Sequence, residues 1–214
     1  PEYTRFGQFD QLHENNQAQV RELIEDLAKH PQAKGTLGQK IGSLYNLAMD
    51  SVRRNREGIA PLRPILAKVR DIKNKKDYQL VVAQLDRKGA AAMMFDFSIS
   101  ADIRNAAMNL VNISQGGISL GERDYYLNDD STTVKVRNAY KAYIKKLFTM
   151  VGDDQSTAEK KMQAVMAIET QIAKASYSAT QLRDVEGNYH KMSYTQLLKD
   201  FPGIDWEATR TALG

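Results

Sequence analysis

A mainly α fold is what this sequence predicts: a multi-helix bundle with one long antiparallel helix hairpin and one small β-hairpin. Two patterns and one junction carry that expectation. Apolar residues recur at three- and four-residue spacing through most of the chain, the signature of amphipathic helices. Residues 94–115 switch to period-two alternation, the signature of strands. Two long periodic stretches meet at Gly152-Asp153-Asp154, a junction tight enough to fold them back on each other.

The elements follow in order. Phe9, Leu12, Val20, Leu23, Ile24 and Leu27 share one helical face, so residues 8–29 form the first helix, ended by His30-Pro31. Ile41, Leu44, Tyr45, Ala48, Met49 and Val52 place a second from Gln39 to Asn55. A third runs from near Pro61 to Ile72 and a fourth from Lys76 to Arg87, with Asp77 at the positive end of its dipole. Phe95, Phe97 and Ile99 alternate with Asp96, Ser98 and Ser100, and Asn109 to Ile113 return as the second strand of a hairpin turning around residues 101–105. A lone hairpin is marginal in water, so it must pack on something. Gly116-Gly117 marks a turn. Val136, Tyr140, Tyr143, Ile144, Leu147 and Val151 form the first arm of the long hairpin. Ala158, Met162, Val165, Ile168, Ile172 and Ala175 form the second, its methionines serving as core filler. Tyr194 to Phe201 is a short helix stopped by Pro202-Gly203, and Asp205-Trp206-Glu207 starts another.

The chain has 214 residues, 42% apolar and 26% charged, enough to bury a core as one helical domain, 1–214. No apolar run approaches the ~20 residues needed to span a bilayer. Cysteine is absent, which excludes disulfides, thiolate metal sites and a cysteine nucleophile. The start at Pro1 and the stop soon after Trp206 suggest a piece of a longer protein. Net charge is +4, concentrated between Arg53 and Lys76, where nine cations face only Glu57 and Asp71. That stretch could hold an acidic partner, which would make the chain a non-enzymatic interaction module. No aromatic residues interleave with the cations to stack on bases, and a solvated helix face explains them more simply.

Self-contained catalysis lacks its parts. His13, His30 and His190 are scattered, and no His-Glu-x-x-His pair could hold zinc. No Walker-type glycine loop is present, and Asp129-Asp130 and Asp153-Asp154 are placed as helix N-terminal acids, not as a glycosidase dyad. The chain has no catalytic residues and no metal ligands to nominate.

Three stretches carry a family resemblance. Gln115-Gly116-Gly117-Ile118-Ser119-Leu120-Gly121-Glu122-Arg123-Asp124-Tyr125-Tyr126-Leu127 resembles the Gly-Leu-Gly-Leu-Pro-Asp-Arg-Asp-Tyr-Tyr-Leu signature of the neprilysin family of zinc metallopeptidases. It departs at Ser119, where the family usually has glycine, and at Gly121, where it usually has proline. Ile168-Glu169-Thr170-Gln171-Ile172-Ala173, then Arg183-Asp184 and Asn188-Tyr189-His190-Lys191-Met192, are similar to a second block, and Arg5-Phe6-Gly7-Gln8-Phe9-Asp10 to the entry of the first helix. The three occur in register along nearly the whole chain.

The resemblance implies the following. The parent would be a bacterial zinc endopeptidase whose catalytic domain lies C-terminal to this chain. It would cleave peptides with a metal-activated water and a glutamate base. This chain would be its non-catalytic helical cap, closing over the active-site chamber and limiting substrate size. Its partners would be the missing catalytic domain and a peptide substrate, with no nucleic acid and no membrane span. Zinc would reside in the parent, and no cofactor in this part. The location would be periplasmic or extracellular, and the parent could carry a lipid anchor. Arg5 would line the primed side of the cleft, its guanidinium gripping a peptide carboxylate or carbonyl, with Asp10 orienting it. His13 stands where a second pocket arginine would be. Arg123, Asp124, Tyr125, Tyr126, Arg183, Asp184 and Tyr189 would fix the chain between the hairpin and the long helices.

Overall fold

The computed structural model describes residues 7–90 and 93–214, which fall into two compact units divided between Arg63 and Pro64. The fold is mainly α: eleven α-helices and one antiparallel hairpin among the described residues.

The first unit is built on α1 (Gln8–Lys29) and α2 (Leu37–Met49). Thr36 caps α2 by accepting the Gln39 amide at 3.2 Å. The helices cross closely because Gly42 is buried at the contact, where a side chain would run into the Leu27 carbonyl. Asn46 Nδ2 donates to the Ala28 carbonyl at 3.1 Å, and Tyr45 donates to Glu25 at 3.3 Å. The single helix expected from Gln39 to Asn55 is two. Asp50 accepts the Arg53 amide at 2.8 Å and caps a new helix, α3 (Ser51–Glu57). The helix expected from Pro61 to Ile72 is likewise divided. Its proline sits in a 3-10 turn, Ala60–Leu62, that closes the first unit, and α4 runs only over Arg63–Arg70, opening the second.

The second unit begins its packed part with α5 (Lys75–Asp86), capped by Asn74. The hairpin follows: β1 (Phe95–Asp102) pairs with β2 (Asn105–Gln115), Phe95 facing Gln115 and Ile99 facing Val111. The register shifts at Ala101/Asp102, and Ile103-Arg104 make the turn within the expected segment. A short helix, α6 (Asp124–Leu127), precedes the long antiparallel pair α7 (Ser131–Met150) and α8 (Gln155–Ala175). Asp130 and Asp154 cap these two through side-chain bonds to backbone amides, as expected of helix N-terminal acids. Three short helices complete the unit: α9 (Ala179–Leu182), α10 (Tyr194–Asp200) and α11 (Trp206–Leu213).

The main core lies where α6 meets the long pair. Tyr126, Ile144, Met162, Met166 and Ala173 are buried there, with Leu120, Tyr140, Phe148 and Val165 around them. A second buried patch joins α5 to α11: Val82, Ala83, Leu85 and Trp206 are all buried. Gln79 ties it, donating to the Gly203 carbonyl and accepting from the Asp205 amide, each at 3.0 Å. Phe95 stacks on Trp206 at 6.0 Å, which seats the base of the hairpin.

Candidate functional site

Of the residues named for peptide binding, Asp10 and His13 lie near the start of α1. Arg5 lies outside the described residues. Asp10 occupies the first turn, where an acid complements the helix dipole, and His13 Nε2 lies 2.8 Å from Gln17 Nε2 one turn on. Both side chains are on exposed positions. In the basic stretch, Arg53 pairs with Glu57 at 2.7 Å and Lys68 donates to Gln84 at 3.1 Å.

The motif residues of the second unit converge on two hydrogen-bonded clusters. The first is centred on Glu169, on the buried side of α8. Its carboxylate accepts three hydroxyls: Ser119 at 2.7 Å, Tyr126 at 2.9 Å and Tyr140 at 3.1 Å. Tyr126 also accepts the Leu120 amide at 3.0 Å, so the loop preceding α6 closes onto its own tyrosine. Burial, then the neighbouring carboxylate, pushes the Tyr126 phenol well above its ordinary range, and Tyr140 moves the same way for the same leading reason. Arg123 donates to the Ser176 carbonyl at 2.8 Å, satisfying the end of α8. Asp124 stands in the first turn of α6, and Tyr125 is partly exposed. Arg137 on α7 reaches back to the Tyr126 carbonyl at 2.8 Å and to Asp129 at 2.8 Å.

The two departures from the family signature both have local consequences. Ser119 supplies one of the three hydroxyls to Glu169. Gly121 adopts φ +83°, which proline, locked near −65°, cannot reach.

The second cluster fastens the tip of the hairpin. The Asp102 side chain is 1% exposed and accepts from Lys191 at 2.7 Å, Tyr189 at 2.9 Å and the Arg104 amide at 2.9 Å. The Lys191 ammonium, and after it the Arg104 amide, hold the Asp102 carboxyl down at about 2. Asp102 in turn raises Lys191. Arg104 lies over the Tyr189 ring at 4.1 Å and bonds to Glu186 at 2.6 Å. Asp184 accepts the Gly187 amide at 2.9 Å and shapes the turn carrying Tyr189, and Arg183 ends α9 as its C-cap residue. At the other end of the hairpin, Gln115 and the Tyr177 backbone bond reciprocally, at 2.8 and 3.2 Å.

Glu169, Asp102, Lys191 and Arg137 are the site residues missed from sequence. Glu169 carried a signal, being a carboxylate in line with Met162, Met166 and Ala173 on the apolar stripe of α8. Among the described residues, no three of His, Cys, Asp and Glu converge so as to hold a metal ion. A zinc centre therefore does not fit the side chains described.

The family model described as Peptidase family M13 matches residues 1–213. The chain belongs to peptidase family M13. Within this family, that of neprilysin, it represents the N-terminal region. It is 28% identical over 211 residues to endothelin-converting enzyme 1 of Cavia porcellus, covering 95% of this chain and 27% of that protein. The Mycobacterium tuberculosis zinc metalloprotease Zmp1, solved in complex with an inhibitor, matches with TM-score 0.86 and 29% identity over 98% of this chain and 32% of that one. A cryo-electron-microscopy structure of Zmp1 in an open state matches with TM-score 0.85 and 28% identity, over 100% of this chain and 33% of that one. PepO of Lactobacillus rhamnosis, at 16% identity and TM-score 0.74, shares the fold. The M13 chain here thus spans roughly a quarter to a third of the length of the relatives it matches.

Proposed function

We propose that this M13 chain is the helical, non-catalytic cap of a larger zinc endopeptidase, folding as one functional domain over residues 1–214. The observation that carries this reading is the match of the whole chain to only a third of Zmp1, a protein described as a zinc metalloprotease. Among the described residues none fits the metal, so zinc and bond cleavage are assigned to the remaining length of the parent. The cap would enclose the active-site chamber and limit substrates to peptides. One Zmp1 structure is described as open and another as inhibitor-bound, which supports a hinged closure that admits substrate.

Peptide binding on the primed side falls to the start of α1. Arg5 grips a carboxylate or carbonyl oxygen, Asp10 orients it, and His13 offers a weaker contact than a second arginine would. The motif residues Arg123 to Tyr126, Arg183, Asp184 and Tyr189 serve architecture, holding the hairpin and the α7–α8 pair in one arrangement. The parent works outside the cytoplasm, in a bacterial periplasm or the extracellular space.

The test is a substitution in the intact parent. Arg5→Ala should raise KM about tenfold, the loss of roughly one charge-assisted contact, while leaving the melting temperature unchanged. Unchanged kinetics across several peptides would refute the role of Arg5. The 214-residue chain alone should bind no stoichiometric zinc and show no peptidase activity, and chelator-sensitive hydrolysis by it would overturn the assignment to a cap.

A further inference from the structure

Helix α7 carries five cations, Lys135, Arg137, Lys141, Lys145 and Lys146, and no acid. Part of that charge faces a shallow cavity of about 360 Å³ on the groove between α7 and α8, floored by the edge of the core at Tyr126 and Met166. The volume lies within the range of small-molecule sites, ~300–1,000 Å³. Arg137 and Lys141 line one wall, Thr170 and Gln171 the other, and Met166 and Ala167 contribute apolar surface.

The polar wall has hydrogen-bonding capacity to spare. A guanidinium offers five N–H donors. Arg137 directs its donors to the carbonyls of Tyr126 and Tyr125 and to Asp129, which leaves two for a ligand. The Asp129 side chain is 87% exposed, yet it bonds to Arg137 at 2.8 Å, so this guanidinium accepts a carboxylate even in contact with water. Lys141 makes no hydrogen bond or ion pair with any described side chain. Glu159, a carboxylate that Lys141 helps to hold ionised, is bonded instead to Lys145 at 2.6 Å. Glu169, the carboxylate bonded to the Tyr126 hydroxyl, is not among the lining residues, and its oxygens are taken up by three hydroxyls. Thr170 donates its hydroxyl proton to the Met166 carbonyl at 2.6 Å and keeps its lone pairs, and the Gln171 amide offers both donor and acceptor.

We infer that this groove binds a small aliphatic carboxylate. The carboxylate lies between Arg137 and Lys141, and the hydrocarbon body lies over Met166 and Ala167. An inorganic anion would use the cations and waste the apolar surface. A neutral amide of the same shape would use the apolar surface and lose the charge-assisted bonds. The carboxylate can come from a free short-chain acid or from the C-terminus of a peptide with a small last residue. The inference stands apart from the assignment of the cap, since its residues lie on neither the start of α1 nor a metal centre.

Saturation-transfer NMR and calorimetry on the full chain would test it with butyrate as probe. Butyrate should bind in the millimolar range, butyramide at least tenfold more weakly, and inorganic phosphate should displace butyrate only at much higher concentration. Lys141→Gln should weaken butyrate about tenfold, one charge-assisted bond in magnitude. Ala167→Glu, which puts a like charge on the apolar wall, should abolish binding while the circular dichroism spectrum is preserved. N-acetyl-alanine binding as well as butyrate would identify a peptide terminus as an acceptable source, and butyrate alone would identify a free acid. Equal affinity for butyrate and butyramide, equal affinity for butyrate and phosphate, or unchanged butyrate binding in Lys141→Gln would each overturn the site.

Discussion

The two units differ in what their amphipathic helices achieve. In the second, apolar stripes close on one another: Met162, Met166 and Ala173 on α8 meet Ile144 on α7 and Tyr126 on α6, all buried. In the first, Gly42 is the only buried position among the described residues. The α1 stripe is as regular, yet Phe9 stays 89% exposed and Leu12, Val20 and Leu23 more than half exposed. Helical periodicity shows which face of a helix is apolar and says nothing of whether a neighbour covers it. Helix α2 crosses α1 at Leu27 and Ala28 through Gly42, near the far end of a 22-residue helix.

The largest expected effect that could break this contrast is in the Glu169 cluster. Glu169→Ala strands the buried Tyr126 hydroxyl and the half-buried Tyr140 hydroxyl, removes the partner of Ser119, and should cost about 4 kcal/mol in urea unfolding. A loss under about 1 kcal/mol would show that Ser119, Tyr126 and Tyr140 find other partners. Next come matched truncations of single apolar side chains. Ile144→Ala should cost about 2–4 kcal/mol, while Leu23→Ala in α1 should stay within about 0.5 kcal/mol. Equal losses would erase the difference between the units. Gly42→Ala should cost about 1–3 kcal/mol by forcing α1 and α2 apart. Amide exchange should localise that loss to these two helices.

The effect that is flat near neutral pH and appears only in acid concerns Asp102. Its carboxyl is held below the ordinary 3.8 at about 2, so its contribution is fully present above about pH 4 and is lost as pH falls toward 2. Melting curves from pH 7 to 2 should therefore fall more steeply for the native chain than for Asp102→Asn in that window. Parallel curves would show that the Lys191 pair forms equally in the unfolded chain.

What was legible in the sequence followed from local repetition. The helix stripes, the switch to period two at Phe95, and the caps at Asp130 and Asp154 are written within a few residues of where they act. Asp50 was equally local, but an unbroken apolar face ran across it and hid the cap that divides α2 from α3. The 3-10 turn at Pro61 was hidden in the same way. Lys191 could not be read as a partner for Asp102, because 89 residues separate them and only the tertiary fold brings them together. Glu169 lay between these cases. A carboxylate on an apolar stripe demands donors, and the tyrosines that supply them come from α6 and from α7.

Fastening the hairpin at both ends changes how it moves. Two strands alone would fray from their open end toward the turn on the microsecond scale. Here the turn is anchored by Asp102 to Tyr189 and Lys191, and the open end by Gln115 to Tyr177 and by Phe95 to Trp206. The ribbon is a beam clamped at two supports. The amide protons bonded between β1 and β2 should exchange only when the 177–206 segment lets go, at the pace of that larger opening.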